Sequence, residues 1–311
     1  MTLVGAVVAL AAGFSIGARW ADPPRSLQWG VYQIYNGAQR FEKRLKGEMA
    51  RLASTPDYVM FYRDLGRPFP KAGIDVIYNA GATPIISLEL WRWHDSKTKQ
   101  LPRILAGEWD GFFRTWAEHA KRDGRRVQLR FGFEFNGDWF SWGGEPEAFK
   151  TAWRRAHDIF DEVGVQNVEW VWSPNVTSHP TVPANDMNHY YPGDAYVDWV
   201  AVDGYNWGDE YKEYHRWTSF EKVFANVLND FAKRYPRKPV MVAESGSPEG
   251  KPGQKARWVR DAHVAAQRHP QLKAVIWFNL DKRREGELNF RLDSSEDALR
   301  AFNETFAAER E

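Results

Sequence analysis

The sequence predicts a single-domain (β/α)₈ barrel, and three observations support this fold. The chain has 311 residues, and a barrel of this type usually takes about 250 residues as one domain. Eight short apolar segments are typical of strands, and helical patterns separate most of them. No glycine-rich phosphate-binding loop follows the first strand, which counts against a doubly wound open sheet.

The predicted strands are almost continuously hydrophobic, as expected for parallel strands that are covered on both faces. In chain order they are Leu27–Tyr32, Tyr58–Tyr62, Pro84–Leu88, Val127–Phe133, Val168–Trp172, Val197–Val202, Pro239–Ala243 and Ala274–Phe278. Strands that alternate with helices form a parallel sheet with right-handed crossovers, and eight of them suit a closed barrel.

Apolar residues recur with helical spacing in six of the intervening segments. These are Phe41–Leu52, Trp109–Lys121, Glu147–Val163, Phe220–Tyr235, Gln254–Gln267 and Glu296–Ala308. The segment Asn175–Ala195 has no such period and is rich in Pro, Asn and Asp, so it predicts a long loop.

The first 22 residues predict a signal peptide or a signal anchor rather than part of the barrel. The stretch from Leu3 to Ile16 is apolar, and it is too short for a comfortable membrane span. Pro23 and Pro24 then separate it from the first strand. We therefore expect residues 23–311 to form the barrel domain of a secreted or periplasmic protein, or of one anchored by its N-terminus.

The amino-acid composition limits the kinds of molecule that the protein is expected to bind. Lys and Arg total 42 against 41 Asp and Glu, so the net charge is +1 and no basic excess indicates a nucleic-acid partner. There is no cysteine, and the eight histidines are scattered without metal-ligand spacing, so neither a metal nor a cofactor is expected. The 16 Trp residues are unusual, and indole stacks well on the C–H faces of sugars. No feature of the sequence indicates an oligomeric state.

Two glutamates follow predicted strands on opposite sides of the barrel. Glu134 lies at the end of the fourth strand and Glu244 at the end of the seventh. Active sites of such barrels lie at the C-terminal ends of the strands. Glycosidic cleavage needs one carboxylic acid to protonate the leaving oxygen and one carboxylate to act as nucleophile or base. A structural alternative pairs each glutamate with an arginine such as Arg130.

Four sequence blocks in order carry a resemblance to a known family. They are Arg130-x-x-x-Glu134-x-Asn136-Gly137-x-Trp139-Phe140, then Trp170–Asn175, then Tyr191–Asn206, then Pro239–Glu244. Together they resemble glycoside hydrolase family 26, which contains mainly endo-β-mannanases, with mixed-linkage β-glucanases and β-1,3-xylanases. The resemblance implies a (β/α)₈ barrel and hydrolysis of a β-linked polysaccharide with retention of configuration.

The resemblance also implies roles for individual residues. Glu134 would be the acid/base, Glu244 the nucleophile, and Tyr205 the residue that positions the nucleophile. Trp277 would form the floor of the subsite for the attacked sugar, and Trp139 a platform on the leaving-group side. Phenylalanines surround Glu134 in the sequence, and partial burial would raise its pKa and keep it protonated.

One residue departs from the family pattern and bears on the substrate. The family usually has histidine immediately before the acid/base, where this chain has Phe133. β-Mannan is the first prediction, and a mixed-linkage β-glucan, a β-1,3-xylan or an exopolysaccharide are alternatives. A non-catalytic polysaccharide-binding barrel is the alternative from another class.

Further residues near the predicted strand ends are candidates for sugar binding. They are Arg130, Asn136, Trp142, Trp172, Asn175, Trp207, Trp91 and His94. With a strand period of two, Arg130 shares a face with Glu134, so it would lie beneath the site and orient it. The asparagines could bond sugar hydroxyls or shape turns, and Trp91 and His94 could form a subsite wall or a surface loop.

Overall fold

The computed structural model describes residues 27–307, in which eight parallel strands close into a barrel in chain order. The strands are β1 Gln28–Tyr32, β2 Tyr58–Asp64, β3 Thr83–Glu89, β4 Val127–Phe131, β5 Val168–Trp172, β6 Trp199–Tyr205, β7 Val240–Gly246 and β8 Leu272–Trp277. Strand β1 pairs with both β2 and β8, so the sheet has no free edge. The predicted (β/α)₈ fold is confirmed. The predicted signal or anchor segment lies outside the described residues.

Helices connect the strands and pack around the barrel. They are α1 Ala38–Leu52, α2 Lys71–Asn79, α3 Leu101–Leu105, α4 Asp110–Asp123, α5 Pro146–Val163, α6 Phe220–Arg234, α7 Gln254–Arg268 and α8 Glu296–Phe302. Sequence patterns missed α2 and α3, because each is short and α2 contains Gly73, a poor helix former. The predicted loop 175–195 holds three 3₁₀ turns, at Pro183–Asn185, Met187–Tyr190 and Asp194–Tyr196.

The alternation of side chains along each strand builds two separate cores. In β8, Ala274 and Ile276 face the barrel interior, whereas Val275 and Trp277 face the surrounding helices. The outer core between strands and helices is the larger and contains most of the buried tryptophans. The inner core fills the barrel beneath its C-terminal mouth.

An irregularity in β7 breaks this alternation beside the mouth. Val242 of β7 pairs with Val202 of β6, but the next β6 residue, Asp203, pairs with Glu244. Ala243 is therefore an extra residue on β7, and both it and Glu244 are directed inward. A bulge of this kind re-aims a side chain, and here it brings Glu244 to the barrel mouth.

Two absences apply to residues 27–307. No helix there combines the length and apolar character needed to cross a membrane. Nor do three or more His, Asp or Glu side chains in this part of the chain cluster in a way that could hold a metal ion.

Candidate active site

A cavity of about 800 Å³ opens at the C-terminal mouth of the barrel. Its walls are mainly aromatic, and four glutamates line it, namely Glu89, Glu134, Glu244 and Glu287. The aromatic lining residues are Tyr62, Phe133, Trp139, Phe140, Tyr205, Trp207, Tyr211, Tyr214, His215, Phe278 and Phe290. A concave aromatic site with a few convergent polar groups is typical of a ligand-binding cleft.

Glu244 accepts hydrogen bonds on both carboxylate oxygens. The hydroxyl of Tyr205 donates to Oε2 at 2.6 Å, and the hydroxyl of Tyr62 donates to Oε1 at 2.6 Å. Arg130 donates from Nη1 to the same Oε1 at 2.6 Å. Three donors, one of them a cation, therefore fix the orientation of the Glu244 carboxylate.

Arg130 lies fully buried beneath the cavity, as the strand alternation predicts. Its second guanidinium nitrogen pairs with Asp203 of β6, and Nη1 also donates to Ser87 Oγ at 3.1 Å. Burial by itself would lower the pKa of Arg130, but the carboxylates of Asp203 and Glu244 outweigh burial and raise it. Arg130 is therefore a permanent cation that holds Glu244 in place.

Glu134 has a different environment. Glu134 lies two residues after Gly132, beyond the end of β4, and its backbone is left-handed, with φ 49°. Its carboxylate accepts from the indole of Trp139 at 2.7 Å and from the side-chain amide of Asn175 at 2.7 Å. Burial, reinforced by the charge of Glu244, raises the pKa of Glu134 to about 7. Glu134 can therefore hold a proton near neutral pH and release it to a reacting group.

Two asparagines brace the turn that carries Glu134. Asn136 is fully buried and donates to the backbone oxygen of Asn175 at 2.9 Å, while its Oδ1 accepts from the Asn175 amide at 2.8 Å. Asn136 therefore shapes the turn, whereas the side chain of Asn175 reaches the cavity and Glu134. A left-handed non-glycine residue is held only where its surroundings fix it, and such strain is concentrated at functional sites.

Phe133, which replaces the family's histidine, lies between the two halves of the site. Its ring stacks on Tyr62 with centroids 5.3 Å apart, and the Arg130 guanidinium carbon lies 4.1 Å from its centroid. The ring donates no hydrogen bond, but it packs against two of the donors to Glu244.

Several tryptophans predicted to bind sugar lie elsewhere. Trp277 is 2% exposed and packs on Trp258, Phe302 and Phe306 in the outer core. The structure therefore contradicts the expectation that Trp277 forms the floor of a sugar subsite. The next residue, Phe278, lines the cavity instead. The cause is the strand period of two, which directs the two neighbours to opposite faces.

Four other residues predicted to bind sugar also point away from the cavity. Trp172 is fully buried in the outer core, and its indole donates to the backbone oxygen of Tyr190. Trp142 is also fully buried, behind the cavity wall, with half-buried Trp91 packed edge-on against it. His94 is exposed and does not line the cavity. These four therefore do not face the cavity.

Trp139 and Trp207 do line the cavity, as predicted. Trp139 is 44% exposed, and its indole is anchored at one end by Glu134. Trp207 stacks on Tyr211 with centroids 4.7 Å apart, and the loop that follows β6 extends this aromatic wall. Trp139 therefore offers an exposed aromatic surface of the kind on which sugar rings stack, and Trp207 adds a partly exposed ring to the wall.

Three of the site residues that sequence reasoning missed lie closest to the glutamate pair or at a strand end. Tyr62 in β2 holds Glu244, Phe278 follows β8, and Glu89 ends β3 at 7% exposure. The indole of Trp93 donates to Glu89, and burial raises the pKa of Glu89 to about 7. Each is the inward-facing residue at or near a strand end, so strict counting of alternation along the strands was the available signal.

Comparison with known proteins identifies the family. The model of glycosyl hydrolase family 26 matches residues 98–237. The chain is 32% identical over 242 residues to "Endoglucanase H" of Acetivibrio thermocellus, covering 75% of this chain and 25% of that protein. It is 33% identical over 121 residues to "Mannan endo-1,4-beta-mannosidase A and B" of Caldalkalibacillus mannanilyticus, covering 35% and 22% respectively.

A solved structure supports the fold. A GH26 β-mannanase from Bacteroides ovatus aligns with a TM-score of 0.65 at 18% identity, covering 91% of this chain and 88% of that one. The chain spans about a quarter of the length of the two sequence relatives. Taken with the family match over the segment that contains Glu134 and Tyr205, these likenesses lead to one conclusion: the chain belongs to glycosyl hydrolase family 26.

Proposed function

We propose that this protein is a retaining endo-β-glycanase that hydrolyses a β-linked polysaccharide. The observation that carries the proposal is the contrast between two glutamates in one cavity. Burial raises the pKa of Glu134 to about 7, whereas Glu244 accepts three hydrogen bonds, one of them from the Arg130 cation. Pairs of carboxyl groups with opposed environments mark the acid and the nucleophile of a glycosidase.

The proposed mechanism gives each of the two carboxyl groups its own role. Glu134 donates its proton to the glycosidic oxygen as that bond breaks, and a Glu244 oxygen bonds to the anomeric carbon to form a glycosyl-enzyme ester. Glu134, now a carboxylate, takes a proton from water, whose oxygen displaces Glu244 from the anomeric carbon. Two inversions leave the configuration unchanged, and each glutamate ends in its starting state.

The surrounding residues support each step. Tyr205, Tyr62 and Arg130 fix the orientation of the nucleophile, so little reorganisation precedes attack. The Asn175 amide and the Trp139 indole keep the acid aimed into the cavity. A cleft that is open at Trp139, with more aromatic rings along the β6 loop, suits an internal segment of a polymer and hence endo action.

We propose β-mannan as the first substrate to examine, with mixed-linkage β-glucan, β-1,3-xylan and exopolysaccharide as the alternatives. A relative named for mannan and a relative named as an endoglucanase support the inclusion of both sugar types. The family has a histidine, a hydrogen-bond donor, at the position of Phe133, whereas the Phe133 ring is apolar. We therefore keep several sugars as candidates for the subsite beside Phe133.

We also propose that residues 1–22 direct export of the chain.

The test is reducing-sugar release by the full chain from mannan, glucomannan, mixed-linkage β-glucan, β-1,3-glucan, β-1,3-xylan and a bacterial exopolysaccharide. Glu244→Gln and Glu134→Gln are the controls, with folding checked by circular dichroism. We expect release from at least one polymer, loss of about 10³-fold or more in each variant, and a first product whose anomeric NMR signal retains configuration.

Two outcomes would contradict the proposal. Full activity in Glu244→Gln would remove the nucleophile assignment, and an inverted product would remove the double displacement. If wild type binds a polymer but cuts none, the non-catalytic barrel replaces the enzyme.

A further inference from the structure

A second groove, of about 570 Å³, lies at the same end of the barrel, between α1 and the segments that follow β1 and β8. Its floor is the buried carboxylate of Glu48, which is 2% exposed. Arg51 donates to Glu48 at 2.7 Å, and the side-chain amide of Asn279 also donates to it. The floor is thus made of buried polar side chains that are already hydrogen-bonded.

The charges around this floor do not balance. Arg51 and Arg291 are neutralised by Glu48 and Asp293, at distances between 2.7 and 3.5 Å. Three further cations line the groove, namely Arg40, Lys43 and Arg44. Arg44 donates only to neutral oxygens, those of Ile34 and Asn36. All three side chains are exposed, and within residues 27–307 none of them pairs with an acidic side chain, so the groove presents three positive charges to solvent.

The groove adjoins the catalytic cavity. Leu280 lines the groove, and Phe278, two residues earlier, lines the cavity. Phe278 stacks on Tyr32 with centroids 4.8 Å apart, and Tyr32 contacts Tyr62, which holds Glu244. Because β8 and β1 lie across the barrel from β4, the groove and Trp139 lie on opposite sides of the glutamate pair. A polymer that crosses the mouth from Trp139 over Glu244 therefore leads to the groove.

We propose that this groove binds an anionic group, a carboxylate or a phosphate, borne by the same polysaccharide that the catalytic cavity holds. The inference rests on the proposed function, and among the substrates proposed above it favours an acidic exopolysaccharide over the neutral mannan, glucan and xylan. A neutral glycan offers nothing that compensates three unpaired cations, whereas guanidinium and ammonium groups bind carboxylate and phosphate oxygens through charge-assisted hydrogen bonds.

The test measures binding by calorimetry with the full chain carrying Glu134→Gln, so that no probe is cut. The probes are cellobiose, cellobiouronic acid, which bears a C6 carboxylate, 6′-phosphocellobiose, and inorganic phosphate alone. We expect at least one acidic disaccharide to bind about 10-fold or more tightly than cellobiose at low salt. Added Arg40→Ala and Lys43→Ala should weaken the acidic probe about 10-fold and leave cellobiose unchanged.

A matched double variant removes the same two charges elsewhere. Arg122→Ala with Lys233→Ala takes one Arg and one Lys from exposed positions of α4 and α6. It should leave the acidic probe bound as in the parent. Equal binding of acidic and neutral probes, or equal weakening in both double variants, would overturn the proposal. Inorganic phosphate that binds as tightly as 6′-phosphocellobiose would overturn it too, since the sugar would then contribute nothing.

The two acidic probes distinguish the sources of the anion. Tighter binding of cellobiouronic acid assigns a uronic acid, and tighter binding of 6′-phosphocellobiose assigns a phosphorylated sugar. No arm requires turnover, so this result is independent of whether the glutamate pair cuts any polymer.

Discussion

At the residue scale, the proposed mechanism makes the protonation state of Glu134 set the pH range of activity. Burial raises the pKa of Glu134 from its ordinary 4.5 to about 7. The acid must carry its proton to act, so kcat/KM should fall as pH rises through about 7, because the proton is then lost. A pH profile of the wild type on its best polymer measures this limb.

Glu89 provides the control for that profile, since the pKa of Glu89 is also raised to about 7. Glu89→Gln should keep the alkaline limb in place, because the proposed proton donor is Glu134. If the limb disappears in Glu89→Gln, the assignment of the acid to Glu134 is wrong.

The two tyrosines that hold the nucleophile should differ in importance. Tyr62 shares Oε1 of Glu244 with Arg130, whereas Tyr205 serves Oε2. A hydrogen bond to a charged group contributes roughly 1.5–3 kcal/mol, which corresponds to about 10- to 100-fold in rate. Tyr205→Phe should therefore lower kcat by about that factor, and Tyr62→Phe by less.

Tyr78→Phe is the matched control, because this hydroxyl donates to the Arg126 backbone oxygen, next to the N-terminal end of β4. It should leave kcat unchanged. Wild-type kcat in Tyr205→Phe would contradict a positioning role for that hydroxyl.

At the element scale, the direction in which a tryptophan side chain points decides whether it packs in the core or lines the cavity. Trp277 faces the helices from β8, whereas Trp139 faces the cavity. Trp277→Phe should lower the free energy of unfolding by roughly 1–3 kcal/mol, because it leaves space in the outer core. Its KM should stay near the wild-type value.

Trp139→Phe should behave in the opposite way. It removes the indole donor to Glu134 and part of a stacking surface, so kcat/KM falls while the melting temperature changes little. Thermal unfolding and steady-state kinetics on both variants make the comparison. A large rise in KM for Trp277→Phe, with unchanged stability, would show that Trp277 contributes to substrate binding and would contradict its place in the outer core.

At the scale of the whole molecule, the active site should cost stability above neutral pH. The folded-state pKa of Glu134, about 7, exceeds its ordinary value of 4.5. The stability that this group contributes is therefore fully present below about pH 4.5 and is lost as pH rises through about 7. Glu134→Gln removes the charge, so its gain in unfolding free energy over wild type should grow with pH, up to about 3 kcal/mol at pH 8.

Calorimetric melting of both proteins at pH 4.5, 6 and 8 checks this prediction. Glu162→Gln is the control, since that side chain is 61% exposed, and its effect should not grow in the same way with pH. A difference between Glu134→Gln and wild type that shrinks as pH rises would contradict the raised pKa.

The sequence by itself determined the barrel and the two glutamates. Eight apolar segments separated by helical patterns admit few arrangements, and the C-terminal ends of parallel strands meet at one mouth. Glu134, Glu244, Tyr205 and Arg130 therefore converge as the positions of their strands require. Local sequence patterns predict these features because side-chain periodicity is visible in short stretches of chain, and the order of strands and helices along the chain follows from those stretches.

Only the tertiary structure decided which neighbours face the cavity. The extra residue Ala243 turns Glu244 inward, and the left-handed backbone of Glu134 aims the acid, yet neither follows from a two-residue period. Tyr62 reaches Glu244 across 182 positions of sequence, and the basic groove joins α1 to the segment after β8. Contacts of this kind depend on closure of the barrel, which brings strand ends that are distant in the sequence together. No local sequence pattern encodes the distance between two such side chains.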